Sequence, residues 1–354
     1  MVWRTVVVYG AVMPEPLVFA HPEPEPAPTR VWPVFLPFAG CPHRCLFCAQ
    51  DRQTGRAGAA LSPVLAELER DLDAALAAGR GPYELAFYGG TFTALPAPWP
   101  ETFLALAARY RERGLITRVR CSTRPDCTAP DVLDRCRALG LDLVELGIQS
   151  FDDAALAASG RGYDGDAARQ GCERVAESGL ALGVQLLPGL PGDREGLFLE
   201  DVREAAAFRP ETARLYPCLV IEGTALAEAW RRGGYVPWTV DRAKAELALA
   251  LPVLWGRGVR VIRLGLAPEG TLAESFLAGP WHPALGQSAR SLALLGIIRE
   301  KAAALGRAPS SLIAPRRYQG ELFGQANELA PAYAALGLPR TAVRFADTAH
   351  FSLA

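Results

Sequence analysis

From Val34 to Ile221 the chain repeats one pattern six times: a short apolar run, then a stretch with helical spacing. The runs are VFLPFAG (34–40), YELAFYGG (83–90), RVRCST (118–123), DLVELGIQS (142–150), LALGVQLLP (180–188) and ARLYPCLVI (213–221). Each has the length of a strand, and the stretches between them are long enough for helices. Strands separated by helices pair in parallel. Right-handed crossovers then wind the sheet into a barrel-like layer. The expected class is therefore α/β.

Local signals place the helices. Ser62-Pro63 reads as a cap followed by an N1 proline. Val64, Leu65, Leu68, Leu72 and Leu76 then make one buried stripe. A second helix is expected near 99–113, and a third starts at Pro130 and ends at Gly140. A fourth ends at Gly179. In parallel sheets of this kind, ligands bind beyond the carboxyl ends of the strands. The polar motifs fall there: the cysteine run after the first strand, Gly89-Gly90-Thr91 after the second, Thr123-Arg124 after the third, Gln149 at the end of the fourth and Gln185 near the end of the fifth.

The cysteine run GCPHRCLFC places Cys41, Cys45 and Cys48 at C-x3-C-x2-C spacing. Thiolates on one loop can reach one iron–sulfur cluster together. Three ligands leave one iron without a protein thiolate, and an open iron can act on a bound molecule. Structural zinc competes with this reading, but it normally takes four ligands. His43 is the nearby fourth candidate, and its place between Cys41 and Cys45 is a poor fit to a tetrahedron. Unliganded thiols are the third alternative. The remaining cysteines lack such spacing: Cys136 and Cys172 fall on helices, Cys218 in an apolar run, and Cys121 and Cys127 flank the third strand end.

With Phe47 before its last cysteine, this run resembles the cluster loop of radical S-adenosylmethionine (SAM) enzymes. The resemblance implies a partial (βα)6 barrel, a 4Fe–4S cluster on Cys41, Cys45 and Cys48, and SAM chelated to the open iron. It also implies one-electron cleavage of SAM to a 5′-deoxyadenosyl radical that abstracts hydrogen from a substrate. An external donor of flavodoxin or ferredoxin type would supply the electron. By motif match, Phe47 packs near the adenine, and Gly90 and Thr91 of YGGTFTALP contact the methionine part. Gln149 of ELGIQS meets the ribose, Arg161 the carboxylate, and Arg124 of STRPD faces SAM or substrate. Without the family, the glycine turn reads as any tight turn, and Gln149 and Arg161 as satisfied loop residues. The run LYPCLVIEGTALAEAWRRGGYVPW (215–238) resembles the catalytic subunit of Elongator and extends the likeness from Pro37 to Leu266. Tyr216 and Glu222 in it sit where a substrate would lie, or simply pack the barrel mouth. The acetyltransferase domain of that subunit has no counterpart in this sequence, which reads as a stand-alone radical SAM protein.

Three regions are expected: an N-terminal strand and proline-rich lead-in over 1–33, the barrel over 34–266, and a small, mainly helical extension over 267–354. No apolar run reaches the ~18–20 residues that span a bilayer, and eight unpaired cysteines fit a reducing cytoplasm. Residues 285–354 carry eight Arg or Lys and four acids, a balance of +4 against −5 for the rest of a chain whose net charge is −1. Arginines near Tyr318 and Phe323 could meet phosphates and stack on a base, which makes tRNA or another RNA a candidate substrate. A solvated helix face is the plainer account. A coproporphyrinogen-dehydrogenase-like enzyme of small molecules is the alternative within the family. A non-catalytic iron–sulfur protein for electron transfer or RNA binding is the alternative outside it.

Overall fold

The computed structural model describes residues 15–51, 60–266 and 272–354, and the N-terminal run VVVYGAVM lies outside them. Among the described residues two compact units emerge, one within 22–289 and one of 15–21 with 290–354, where the sequence reading divides the chain at 33/34 and 266/267.

The larger unit carries β2 (Arg30–Phe35), β3 (Tyr83–Tyr88), β4 (Ile116–Thr123), β5 (Leu143–Gln149), β6 (Ala181–Leu186), β7 (Thr212–Leu215) and β9 (Arg260–Leu264). They form one sheet in the order β2-β3-β4-β5-β6-β7-β9, every pair parallel. The order is sequential and does not close, so the sheet is a half-barrel. Each of the six expected strands has a counterpart, but the first lies at Arg30–Phe35 instead of 34–40, and the sixth stops at Leu215. A seventh, β9, was not anticipated: RVIRL alternates a few apolar residues with arginines, and only its partner β7 makes it a strand. β8 (Val220–Ile221) leaves the main sheet and pairs antiparallel with β10 (Phe276–Ala278).

Helices fall between the strands for local reasons. In the helix Leu61–Ala77, Val64, Leu68, Leu72 and Ala75 are buried; it starts at Leu61 without a side-chain cap, so Ser62 does not play the expected part. Side-chain caps stand elsewhere: Asp152 accepts from Ala155 N at 2.8 Å and Asp164 from Ala167 N at 2.9 Å. Gly140 and Gly179 take left-handed φ of 94° and 75° just past two helix ends.

Period-two alternation gives the sheet two unlike faces. Phe87 stacks on Phe92 and packs against Phe103 of the helix Trp99–Glu112, so this face is apolar. The opposite, concave face is polar: Glu84 and Tyr88 on β3, Arg118, Arg120 and Ser122 on β4, Glu145 on β5, Gln185 on β6 and Arg214 on β7. These groups pair with one another, although Glu84 Oε1 and Arg120 Nε are buried without a hydrogen bond among the described residues. Arg120 donates to Glu84 at 2.8 Å and to Glu145 at 3.2 Å. Arg214 Nε donates to Glu145 Oε2 at 2.6 Å, and Gln185 reaches Ser122 at 3.1 Å. Nearer the strand starts, both Nη atoms of Arg118 meet Glu211 at 2.6 Å.

The smaller unit has the sheet order β1-β13-β11-β12, built from β1 (Leu17–Ala20), β11 (Leu312–Pro315), β12 (Val343–Ala346) and β13 (His350–Leu353). Its core includes Leu312, Tyr333, Leu338, Phe351 and Leu353, with Phe19 stacked on Phe351. The extension is mainly helical, through Leu285–Ala304 and Ala330–Ala335, and adds a small sheet that its sequence did not show. Its strands have four residues each, too short to show a pattern, and β1 comes from the other end of the chain. Tyr318 and Phe323 are buried in this core, Tyr318 under His21 at 4.8 Å, so neither is free to stack on a base. Among the described residues no helix is long and apolar enough to cross a membrane.

Glu145 is the test of the polar interior. It is 1% exposed and bridges Arg120 and Arg214, so its loss leaves two cations sharing the single carboxylate of Glu84. Glu145→Leu is expected to destabilise the half-barrel by about 3–5 kcal/mol, read as a lower urea midpoint with unchanged m. A loss below about 1 kcal/mol would mean that the network contributes nothing specific.

Candidate functional site

The loop after β2 carries Cys41, Cys45 and Cys48, and backbone contacts seat it against the turn after β3. Thr91 N donates to Ala39 O at 2.7 Å. Gln50, missed in the sequence reading, accepts from Phe38 N at 2.6 Å and Gly90 N at 3.0 Å through one oxygen. The approach is close enough to require glycine. A Cβ on Gly90, where φ is 60°, would lie 2.1 Å from Ala39 O, and one on Gly40 would lie 2.3 Å from Thr91 O. Glycine-rich turns of this kind admit a neighbouring backbone, which is the local reason for the Gly89-Gly90-Thr91 motif.

Side chains complete the junction. Cys41 Sγ lies 3.3 Å from Thr91 Oγ1. Arg161 Nη1 donates to Cys45 Sγ at 3.0 Å, and His43 Nε2 meets Arg161 O at 2.9 Å. His43 is thus taken up by a backbone contact. Burial, then the neighbouring Cys45 and Cys41, push the Cys48 thiol up to about 12. The three sulfurs therefore feel one another, and a thiolate here calls for a positive partner. Among the described residues no three His, Cys, Asp or Glu side chains converge on a single ion. A cluster asks for less convergence, because each thiolate binds its own iron. Three free thiols on one loop, with a guanidinium at one sulfur, fit a thiolate-held cluster.

Arg161 is 5% exposed and holds several elements together. Besides Cys45, it donates from Nε to Tyr163 Oη at 2.9 Å and from Nη2 to Tyr163 Oη and Gly147 O. Burial opposes its charge, but Tyr163 and Cys45 outweigh that and hold it ionised. Of its five N–H protons, four have acceptors. The second proton of Nη1 remains, so Arg161 offers a ligand one hydrogen bond and a full charge rather than a two-pronged grip. Arg124, 4% exposed, is clamped by Asp126 at 2.9 and 2.8 Å and donates to Arg161 O at 2.7 Å. Gln149 ends β5 in the left-handed region, with φ of 71°. Its side chain folds over Gly147, where a Cβ would meet Gln149 Nε2 at 2.9 Å.

The structure thus brings Cys41, Cys45, Gly90, Thr91, Arg124, Gln149 and Arg161 to one end of the half-barrel. Phe47 packs with Leu190, Cys218 and Val220. Tyr216 faces the interior, where Arg214 donates to it at 3.0 Å. Glu222 instead pairs with Arg231 on the surface. Cys121 is fully buried in β4, and Cys136, Cys172 and Cys218 are buried as well. The sequence reading missed Gln50, Tyr163 and Asp126. Their signal, a polar residue within two positions of a motif residue, is too common to single them out. It also missed Asp201, which accepts from Phe151 N at 2.8 Å and so fixes the chain just after Gln149.

Residues 35–205 match the sequence model of the radical SAM superfamily, and residues 210–292 match that of the radical SAM C-terminal domain. The tRNA uridine(34) acetyltransferase of Methanocaldococcus jannaschii is 30% identical over 202 residues, covering 51% of this chain and 37% of that protein. Elongator complex protein 3 of Homo sapiens is 31% identical over 204 residues, with coverage of 51% and 37%. The chain therefore matches little more than a third of the length of these relatives. Among solved structures, archaeal Elp3 from Methanocaldococcus infernus, with its N-terminus deleted, superposes with a TM-score of 0.56 at 22% identity, covering 78% of this chain and 64% of that one. HydG, a hydrogenase maturase, gives 0.52 at 14% identity, covering 74% and 54%. These two superpositions speak to the fold.

Asp201 yields a pH prediction. Burial pushes its carboxyl up to about 7, with Phe151 N and Ser150 pulling the other way. A carboxyl raised in the folded state stabilises fully below its unfolded pKa of about 4 and loses that contribution as pH rises through about 7. Stability should therefore fall between about pH 4 and pH 7, and Asp201→Asn should flatten that slope in urea titrations. An unchanged slope in the variant would refute the assignment.

Proposed function

We propose, for a chain that belongs to the radical SAM superfamily and is an enzyme, that Cys41, Cys45 and Cys48 hold a 4Fe–4S cluster and that SAM lies beside them. When bound, the cluster supplies the single electron that cleaves SAM reductively to a carbon radical able to take hydrogen from a substrate. The observation that carries the reading is the convergence of the cysteine loop with Thr91 and Arg161, through Cys41–Thr91 at 3.3 Å and Cys45–Arg161 at 3.0 Å.

The chain's own residues then have separate tasks. The turn at Gly90 and Thr91 brings backbone close enough to receive the methionine amino group. Arg161 faces the SAM carboxylate with its remaining Nη1 proton and its charge, while its other protons keep Cys45 and Tyr163 in place. Gln149 takes the ribose hydroxyls and Phe47 covers the adenine. Arg124, already neutralised by Asp126, orients the Arg161 backbone and lies at the border of SAM and substrate. An external flavodoxin or ferredoxin would deliver the electron.

The substrate is proposed to be an RNA nucleoside, most directly in tRNA. The support is the printed activity of the archaeal relative, a tRNA uridine(34) acetyltransferase, over the segment that matches the radical SAM domain. Nucleoside mass spectrometry of RNA from cells with and without the gene tests this. A nucleoside lost on deletion is expected, and an unchanged nucleoside profile would argue for a small-molecule substrate.

Anaerobic reconstitution should give about four irons per chain. Dithionite with SAM should then yield 5′-deoxyadenosine, and replacing any of the three cysteines with alanine should abolish both. Arg161→Ala should weaken SAM binding by on the order of 2–4 kcal/mol, whereas Arg161→Lys should retain part of it by keeping the charge. Tetrahedral zinc in folded protein, or unaltered SAM affinity in Arg161→Ala, would refute the assignment.

A further inference from the structure

One group on the concave face has donors that the protein does not use. Arg214 reaches across the interior from β7 to β3. Its guanidinium carbon lies 4.4 Å from the centre of the Tyr88 ring, and Nη2 donates to Tyr88 Oη. Nη1 donates to Tyr216 Oη at 3.0 Å, and Nε to Glu145 at 2.6 Å. One cation therefore draws two phenols together. Each phenol oxygen accepts from Arg214, so its own proton is directed elsewhere. No described residue accepts from either hydroxyl. Both tyrosines are half-buried at the carboxyl ends of their strands, the end that also carries Thr91 and Arg161.

We propose that Tyr88 and Tyr216, joined through Arg214, form a two-donor site for a neutral carbonyl oxygen of the substrate. The class is that of an amide, an ester, a thioester or a pyrimidine base. The inference rests on the radical SAM reading and names the group that the substrate presents in this barrel.

Charge decides the class. Within the network Glu84 and Glu145 offset Arg120 and Arg214. Arg263, next to Arg214 in register, is exposed and turned toward Gly265 O. The attraction of Arg214 for an anion is already met by Glu145. Within that network a carboxylate or phosphate would lose its water with no net positive charge to receive it, and the charge of Arg263 stays in solvent. A carbonyl oxygen costs far less to bury and has two lone pairs for two O–H donors. Contact with the cation makes both phenols better donors, the same device by which preorganised hydroxyls polarise a carbonyl. Burial, then the Glu145 carboxylate, raise the Tyr88 hydroxyl above the usual phenol range, so it keeps its proton at neutral pH.

The test uses the reconstituted wild-type protein with tyrosine labelled with carbon-13 at Cζ. It is titrated with N-methylacetamide and uridine, and in separate arms with acetate and inorganic phosphate. Two of the nine tyrosine resonances should move with each neutral carbonyl, and they should be the two lost in Tyr88→Phe and Tyr216→Phe. Each single variant should raise the half-saturating concentration about tenfold, the loss of one hydrogen bond of about 1.4 kcal/mol. Movement with phosphate or acetate alone, or no movement with any probe, overturns the proposal. So does a wild-type response that survives in both variants. If a variant folds poorly, the wild-type arms alone decide between neutral carbonyl, anion and no ligand. Reductive SAM cleavage is followed in the same wild-type sample. Cleavage without a carbonyl response overturns this inference alone; absence of cleavage overturns the reading beneath it, and this inference with it.

Discussion

Glu145 is the residue on which the interior depends. A half-barrel has a concave face that helices do not cover, and this chain lines it with charge. Charge in such a place is tolerable only if every group finds a partner. Glu145 supplies that by accepting from Arg120 on one side and Arg214 on the other, with Gln185 at 3.3 Å. Through these bonds strands β3 to β7 are linked across the interior as well as along their ladders. Gly183 leaves room for this arrangement, since a Cβ there would lie 2.9 Å from Glu145 Cγ. The network is therefore nearly neutral, its charges balanced within the protein.

A second tie builds the reactive end on this frame. Arg161 joins the cysteine loop, the end of β5 and its own segment, and Arg124 and His43 both bond to its carbonyl. The three cysteines and the candidate SAM contacts are thus one mechanical unit. A change in Tyr163 or Asp126 would be felt at Cys45 without touching a ligand directly.

Much of this was legible in the sequence, for identifiable reasons. The strands between Tyr83 and Leu215 are short runs of the right length with apolar residues on at least one face. The motifs lie at their carboxyl ends because a parallel sheet leaves loops there. The polar interior was legible too in principle: Glu84, Arg120, Glu145 and Arg214 interrupt otherwise apolar runs at positions that period two assigns to one face. What local pattern cannot give is pairing. β9 is a strand because β7 offers it an edge. The sheet of the smaller unit depends on β1 meeting β13, from opposite ends of the chain, with Leu17 opposite Leu353. Tyr318 and Phe323 looked like platforms for a base because they sit among arginines; tertiary packing turned both inward.

The two guanidiniums of the site show why a motif alone does not define a contact. By its motif Arg161 is expected to meet a carboxylate, which a guanidinium can grip with two N–H groups. In the structure its fork is largely occupied, so what it brings to an anion is charge and a single N–H. Arg214 carries no motif, and its charge is cancelled by Glu145. Its effect passes instead through Tyr88 and Tyr216, whose hydroxyls it polarises. One arginine is thus suited to a charged ligand and the other to a neutral one, and the difference lies in the partner each has inside the protein. Arg161 is balanced by one phenol, one carbonyl and a thiol, none of which is a full anion unless Cys45 ionises. Arg214 is balanced by a carboxylate. Two arginines a few strands apart on one sheet therefore present different chemistry, one a charge and the other a pair of neutral donors.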